Sequence, residues 1–354
     1  DDNAGLGDWT VNEKKLPGGL KALVERIKAL GMAFGLWIEP EMVNEDSDLY
    51  RAHPDWILNV PGRGPSRSRN QLVLDFSRQD VRDNIYEQIK KVLASADISY
   101  VKWDMNRSLT EVWSAALPAG RQGEVYHRYV LGVYEFAERL SRDFPGILLE
   151  GCCGGGGRFD GGMLYYTPQI WCSDNTDAAD RLRIQYGTSF CYPVSAMGAH
   201  VSAVPNGTTK RIIPIETRGV VAMHGTFGYE MDLCACTPEE KETVRRQTAQ
   251  FKEHRALIQE GDYYRLSDPF QNGPYTAWEH VSANRREALV SVVTGTFRGA
   301  PPFLALPLKG LDPALRYRVN GEGGWPGAAL MQAGWPLPIP DGDYQSFQLY
   351  LEAE

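Results

Sequence analysis

Tyr100-Val101-Lys102-Trp103-Asp104-Met105-Asn106 reads as a buried strand that runs straight into a carboxylate and an amide. The same grammar recurs along the chain. Ala33 to Ile38 exits into Glu39-Pro40-Glu41, Leu72-Val73-Leu74 into Asp75, and Ile147-Leu148-Leu149 into Glu150-Gly151-Cys152. Gln169-Ile170-Trp171-Cys172 exits into Ser173-Asp174-Asn175, and Gly198 to Val204 into Pro205-Asn206. Between these runs apolar residues fall on helical spacing: Leu16, Leu20, Leu23, Ile27 and Leu30 up to Gly31, then Val81, Ile85, Ile89 and Val92, then Val125, Tyr129, Phe136 and Leu140. Six strand-then-helix units predict parallel strands joined by right-handed crossovers. Polar residues gathered after the strand ends match the functional rim of an α/β barrel. A doubly wound open sheet is the rival, and it would carry Gly-x-Gly-x-x-Gly after the first strand, where none stands. The fold class expected is α/β, a (β/α)8 TIM-type barrel; six units are two short of closure, so either the count is wrong or the first two strands do not lie in these residues.

From about Gly261 the texture changes. Ala288 to Val293, Phe303 to Leu306, Arg316 to Val319 and Ser346 to Leu351 read as short strands, punctuated by Pro301-Pro302, Asn320-Gly321 and Asp341-Gly342. That spacing predicts a small antiparallel β-sandwich. Glu239 to Gln259 reads as a long helix leading into it. The expected domains are a catalytic barrel over 1–260 and the sandwich over 261–354. At about 150 residues per domain, 354 residues fit two.

A net charge of −8 and a pI near 5.4 argue against a nucleic-acid binder with a broad basic face. Mean hydropathy is −0.36, and no apolar run reaches the ~18 residues a membrane span needs. The six cysteines are crowded (Cys152-Cys153, Cys234-Ala235-Cys236) or isolated, so reduced and mostly buried thiols are expected, which suits a cytoplasmic protein. No Cys-x-x-Cys exists and the six histidines lack ligand spacing, so no metal is expected. The chain opens on Asp1-Asp2-Asn3-Ala4 without an initiator Met.

Glu39, Glu41, Asp75, Asp104, Glu150 and Asp174 would share one barrel rim with Trp37, Trp103 and Trp171. Paired carboxyls and flat apolar faces are what glycoside hydrolysis requires. For any single acid, helix capping or pairing with an arginine accounts for it as well. Longer stretches are more specific. Leu6-Gly7-Asp8-Trp9, Lys15-Leu16-Pro17-Gly18-Gly19-Leu20, Gly35-Leu36-Trp37-Ile38-Glu39-Pro40-Glu41-Met42-Val43 and Arg69-Asn70-Gln71-Leu72-Val73-Leu74-Asp75 resemble glycoside hydrolase family 36, the microbial α-galactosidases. So do Lys102-Trp103-Asp104-Met105-Asn106-Arg107, the glycine-rich Gly154 to Asp160, and Trp171-Cys172-Ser173-Asp174-Asn175-Thr176-Asp177.

The resemblance implies a retaining α-galactosidase acting on raffinose- and melibiose-type α-1,6-galactosides, without cofactor. It makes Asp104 the nucleophile and Asp174 the acid/base. Lys102, Asn106 and Arg69 become hydroxyl contacts, Trp37 and Trp171 aromatic walls, and Cys152 and Gly155 contacts to the 2-hydroxyl. Lys102 would help keep Asp104 ionised, while Asp174 needs desolvation or a neighbouring negative charge to hold its proton. Glu39, Glu41 and Asp75 are expected to orient Arg69, Lys102 and nearby backbone. His53, His200 and His224 are expected to be hydrogen-bonders, and Trp325 and Trp335 core or interface residues.

Family members also carry an N-terminal β-sandwich, two earlier barrel strands and a paired-aspartate motif that holds the galactose 4- and 6-hydroxyls. The motif is absent here, so the chain is expected to be part of a longer gene product, inactive alone and homotetrameric when whole. Other readings stay open. A non-catalytic sugar-binding remnant, a related α-glycosidase or transgalactosylase, and a phosphate nest at Gly154–Gly157 with Arg158 each fit some of these residues.

Overall fold

Helix α1 (Gly19–Ala29) buries Leu20 and Val24, one turn apart, as its apolar spacing requires. The computed structural model describes residues 3–271, 273–296, 299 and 303–354, so Asp1-Asp2 and Pro301-Pro302 lie outside the described residues. The chain divides into two compact units, Asp1–Trp171 and Cys172–Glu354.

In the first unit α1 is followed by β1 (Gly35–Ile38), β2 (Met42–Asn44), α2 (Asp48–Ala52), β3 (Gln71–Val73), α3 (Gln79–Ala94) and β4 (Tyr100–Trp103). Then come α4 (Val125–Asp143), β5 (Leu148–Gly151), α5 (Gly161–Tyr166) and β6 (Gln169–Trp171). β1, β4, β5 and β6 lie side by side in that order, all parallel. Their inward residues Ile38, Val101, Trp103, Leu149 and Ile170 share one core with Ile85 and Ile89 of α3 and Phe136 and Leu140 of α4. Each such fully buried side chain contributes roughly 1.5–3 kcal/mol.

One expected barrel strand is something else. β3 pairs antiparallel with β2, matching Met42 with Val73 and Asn44 with Gln71. The run Leu72–Leu74 is therefore one arm of a hairpin beside the sheet, because a short apolar run specifies burial but not its partner.

α4 closes tightly on the turn before α3. A Cβ on Gly132 would land inside the van der Waals shell of the Phe76 carbonyl oxygen and crowd Arg82, whose Nη1 donates to that same oxygen at 2.6 Å. Gly132→Ala should therefore destabilise the protein by about 2–4 kcal/mol, because backbone rather than a mobile side chain blocks the methyl. Urea denaturation checks this, and a change within about 0.5 kcal/mol would contradict it.

The second unit runs α6 (Ala178–Thr188), β7 (Met197–Gly198), β8 (His200–Ser202), α7 (Ile215–Ala222), β9 (Gly228–Glu230) and α8 (Pro238–Glu260). β8 pairs parallel with β9, a strand with no apolar run to announce it. α8 matches the expected long helix, opened by a capping box in which Glu240 N–H donates to Thr237 Oγ1 at 3.2 Å and Thr237 N–H to Glu240 Oε2 at 3.0 Å.

Beyond it lie β10 (Asp262–Arg265), β11 (Tyr275–Val281), β12 (Glu287–Thr294), β13 (Ala305–Leu306), β14 (Arg316–Val319), β15 (Glu322–Pro326), α9 (Gly327–Gln332), β16 (Trp335–Pro336) and β17 (Ser346–Ala353). Six of them form an antiparallel sheet in the order β10-β11-β12-β17-β14-β15. Its second layer is thin, namely the β13–β16 ladder and α9, which bring Leu306, Leu308 and Leu330 against Val290, Val292 and Leu351. Glu279 and His280 of β11 are buried, and His280 Nε2 lies 3.2 Å from His224 Nδ1.

Several smaller expectations change. Trp325 is 46 % exposed and stacks edge-on against Trp335, so it is not a core residue. None of the six cysteines is in a disulfide among the described residues, but Cys152 alone among them is buried. His53 stacks on Trp56, and His200 faces Glu230 at 3.4 Å. No helix among the described residues is long and apolar enough to cross a membrane, and no cluster of potential metal ligands occurs among them.

Candidate active site

The pocket is built on register. β1 and β4 align Trp37 with Lys102, and β4 and β5 align Lys102 with Glu150, so residues distant in sequence leave the sheet at one level. Asp104 follows β4 directly, its amide donating to the Ile38 carbonyl at 2.8 Å. The side chain is 7 % exposed. Trp37 Nε1 donates to its Oδ2 at 3.1 Å, the Met105 amide donates to Oδ1 at 2.9 Å, and the Cys152 thiol also bonds to the carboxylate. Burial, and then the Asp104 charge, push the Cys152 thiol up, far from a reactive thiolate.

Lys102 projects between Glu150 and Trp171. Its Nζ lies 3.5 Å from Glu150 Oε1 and 4.8 Å from the centre of the Trp171 ring, where the cation meets the ring's negative face. Glu150 is fully buried and also accepts from Tyr100 Oη and Gln169 Nε2, so its charge has several partners. Lys102 is thus paired by Glu150, not by Glu39, Glu41 or Asp75. The signal available in sequence was that both residues stand near the ends of adjacent predicted strands.

Glu39 gathers a second group. Its Oε1 accepts from the Asn106 amide at 3.0 Å and from Asn106 Nδ2 at 2.9 Å, while Oε2 accepts from Gln71 Nε2 at 3.0 Å. Gln71 closes the turn that carries Arg69. Its amide donates to the Ser68 carbonyl at 2.9 Å and its carbonyl accepts back at 3.3 Å. Arg69 and Asn70 sit at φ 52° and 59°, a type I′ arrangement made without glycine. Such residues each cost of order 1–2 kcal/mol and persist only where surroundings fix them. Here Asn44, fully buried, donates from Nδ2 to the Asn70 carbonyl at 2.9 Å and accepts the Leu6 amide at 2.8 Å. Arg69 is exposed, close enough to Glu39 for its charge to act there.

Beneath the pocket Glu41 holds Arg158 at 3.0 Å, Trp103 Nε1 at 2.9 Å and Tyr129 Oη at 2.6 Å. Arg158 is spent on that buried carboxylate. In the adjoining glycine turn, Gly154 and Gly155 adopt φ 52° and 82°, and the Cys153 and Gly157 amides bond to carbonyls of the turn itself. The Arg158 cation and the Gly157 amide that a phosphate nest would use are already engaged. Within the first unit, then, Trp37, Asp104 and Cys152 meet directly, Asn106 and Arg69 converge on Glu39, and Lys102 meets Trp171.

Asp174 belongs to the second unit, in the loop between β6 and α6, and is exposed. The loop is clasped by a residue that the sequence did not single out. Arg181, 3 % exposed, donates from Nη2 to the Ser173 carbonyl at 3.0 Å and from Nε to the Asn175 carbonyl at 2.9 Å, on either side of Asp174. Asp177 then caps α6 through the Asp180 amide at 3.0 Å.

Residues 1–261 match the Melibiase family, and residues 275–351 match the glycosyl hydrolase family 36 C-terminal domain. The chain belongs to glycoside hydrolase family 36. It is 54 % identical to the alpha-galactosidase AgaA of Geobacillus stearothermophilus over 100 % of this chain and 48 % of that protein. It is 55 % identical to the bifunctional alpha-galactosidase/sucrose kinase AgaSK of Mediterraneibacter gnavus over 98 % of this chain and 36 % of that protein. The crystal structure of the family 36 alpha-galactosidase AgaB from G. stearothermophilus superposes with a TM-score of 0.98 at 55 % identity, covering 100 % of this chain and 49 % of that one. The family 36 fold, a TIM-type barrel with an antiparallel β domain, is therefore the fold of this chain. The chain spans about half the length or less of the curated relatives it matches.

Proposed function

We propose that residues 1–260 and 261–354 are catalytic barrel and C-terminal β domain of a retaining α-galactosidase that releases terminal α-galactose from raffinose- and melibiose-type α-1,6-galactosides. The observation that carries the proposal is Asp104: a nearly buried carboxylate at a strand end, whose Oδ2 accepts from Trp37 Nε1 and whose Oδ1 accepts from the Met105 amide. Support also comes from relatives, since crystal structures of AgaA variants with raffinose and with stachyose superpose on this chain with TM-scores of 0.98 at 53 % and 54 % identity.

In the proposed mechanism Asp104 attacks the anomeric carbon, and the glycosidic oxygen departs with a proton from Asp174. Asp174 then takes a proton from water, which attacks the same carbon and releases Asp104. Lys102, Asn106 and Arg69 hold hydroxyls, Trp37 and Trp171 flank the ring, and Cys152 and Gly155 meet the 2-hydroxyl. No metal or organic cofactor takes part. The native gene product is proposed to be a cytoplasmic homotetramer.

In the native gene product, 4-nitrophenyl α-galactoside should be cleaved at least 100-fold faster than the α-glucoside, and proton NMR during raffinose cleavage should show α-galactose first. β-Galactose appearing first would overturn the retaining mechanism. Galactose binding without turnover would leave a sugar-binding protein instead.

A further inference from the structure

Glu39, a buried carboxylate close enough to the proposed nucleophile to feel its charge, has no role in the displacement described above. Glu39 is fully buried, yet its three hydrogen bonds all go to parts of the proposed sugar-binding wall: the backbone and side chain of Asn106, and Gln71 at the base of the Arg69 turn. Asn106 lies two residues beyond Asp104, and Gln71 belongs to the β2–β3 hairpin, so Glu39 ties a sheet-borne loop to a hairpin-borne turn.

We infer that Glu39 is a positioning residue, which sets Asn106 and the Arg69 turn for sugar binding through the reach of its carboxyl oxygens rather than through its charge. This rests on the α-galactosidase reading. Two observations favour reach over charge. Burial is the main influence on Glu39 and pushes its carboxyl up, with the Asp104 charge adding to the effect, so the site does not favour a second anion. Gln71 Oε1 is buried without a hydrogen-bond partner among the described residues, so a turned Gln71 amide could accept from an uncharged group at position 39 as readily as it now donates to a charged one.

The inference separates two conservative substitutions. Glu39→Gln keeps the reach and loses the charge. Glu39→Asp keeps the charge and draws the oxygens back by one methylene. In the native gene product, with 4-nitrophenyl α-galactoside, Glu39→Gln should keep kcat/KM within about 3-fold of wild type, while Glu39→Asp should lose about 30-fold, mostly as raised KM. Asn106→Ala should lose a similar factor, and the double variant Glu39→Asp/Asn106→Ala should fall no more than about 3-fold below Asn106→Ala alone.

The reverse order, Gln severe and Asp mild, would overturn the inference in favour of a charge acting on Asp104. Losses that multiply in the double variant would overturn it too, as would equal loss in both single variants accompanied by a fall in Tm, the signature of a merely structural residue. The same five proteins, wild type and the four variants, are titrated with galactose by calorimetry. If wild type binds without turning over, the activity reading fails, and the predicted pattern in Kd still decides the role of Glu39. A wild type that neither binds nor turns over overturns both.

Discussion

Asp104→Ala in the native gene product is expected to lower kcat on 4-nitrophenyl α-galactoside by on the order of 10⁴-fold or more, with galactose affinity changed less than tenfold. The asymmetry follows from what the carboxylate does. Its two oxygens are already satisfied by Trp37, Met105 and Cys152, so it contributes modestly to ground-state binding and chiefly to the new bond. Removing it also opens a carboxylate-sized space against the anomeric carbon. Azide should enter that space, attack from the face Asp104 occupied, expel 4-nitrophenolate and accumulate β-galactosyl azide. Formation of that product identifies the nucleophile. An Asp104→Ala protein retaining more than about 1 % of wild-type kcat, with no azide adduct, would assign the nucleophile elsewhere.

The second large effect falls in the second unit, at Glu279→Gln. Glu279 sits in the core of the antiparallel sheet, and burial pushes its carboxyl from 4.5 up to about 8, opposed only in part by the Lys309 amide, which donates to Oε2 at 2.8 Å, and by the Lys309 charge. Oε1 is buried without a hydrogen-bond partner among the described residues. Between pH 4.5 and 8 the folded carboxyl keeps a proton that the unfolded one has released. The contribution of this group to stability is therefore full below 4.5 and is lost as pH rises through about 8. The loss is on the order of 5 kcal/mol when complete.

Glutamine keeps the acceptor for Lys309 and cannot ionise. At pH 8.5 it should raise the Tm of the transition that includes this sheet by roughly 10 °C, while at pH 5 the two proteins should melt within about 2 °C of each other. Parallel Tm-against-pH curves for the two proteins would sink the prediction. The acid side supplies a control. Burial pushes His224 well below 6.5 and His280 down to about 3, so the stability they carry is present above pH 6.5 and is lost as pH falls below it. Glu279→Gln should leave that acid limb in place.

These residues also show where sequence reading stops. β4 and its exit were legible because an apolar run ending on a carboxylate fits a buried strand that opens onto a polar rim and fits little else. α1, α3, α4 and α8 were legible because spacings of three and four repeat long enough to exclude a strand. β11 was not anticipated. Glu279 and His280 interrupt its apolar pattern, and only the sheet shows that both are buried. β9 was missed because Gly228-Tyr229-Glu230 has no apolar run at all.

In the pocket the single residues Asp104, Lys102 and Asn106 could be named from their stretches. Their supports could not. The pairing of Lys102 with Glu150 depends on strand register, and that of Glu39 with Asn106 and Gln71 on where a hairpin lies against a sheet. Neither quantity is written in one-dimensional spacing.

The β2–β3 hairpin gives the pocket two separate foundations. Asp104, Lys102 and Asn106 stand on parallel strands knitted into the principal core, where any shift of one strand is felt by its neighbours. Arg69 stands on a hairpin whose arms, ending at Asn44 and resuming at Gln71, enclose a long segment containing α2, which adds Leu49, Trp56, Ile57 and Leu58 to that core. On the roles proposed above, one sugar contact, Arg69, thus stands on a part of the chain that can vary independently of the strands carrying Asp104, Lys102 and Asn106.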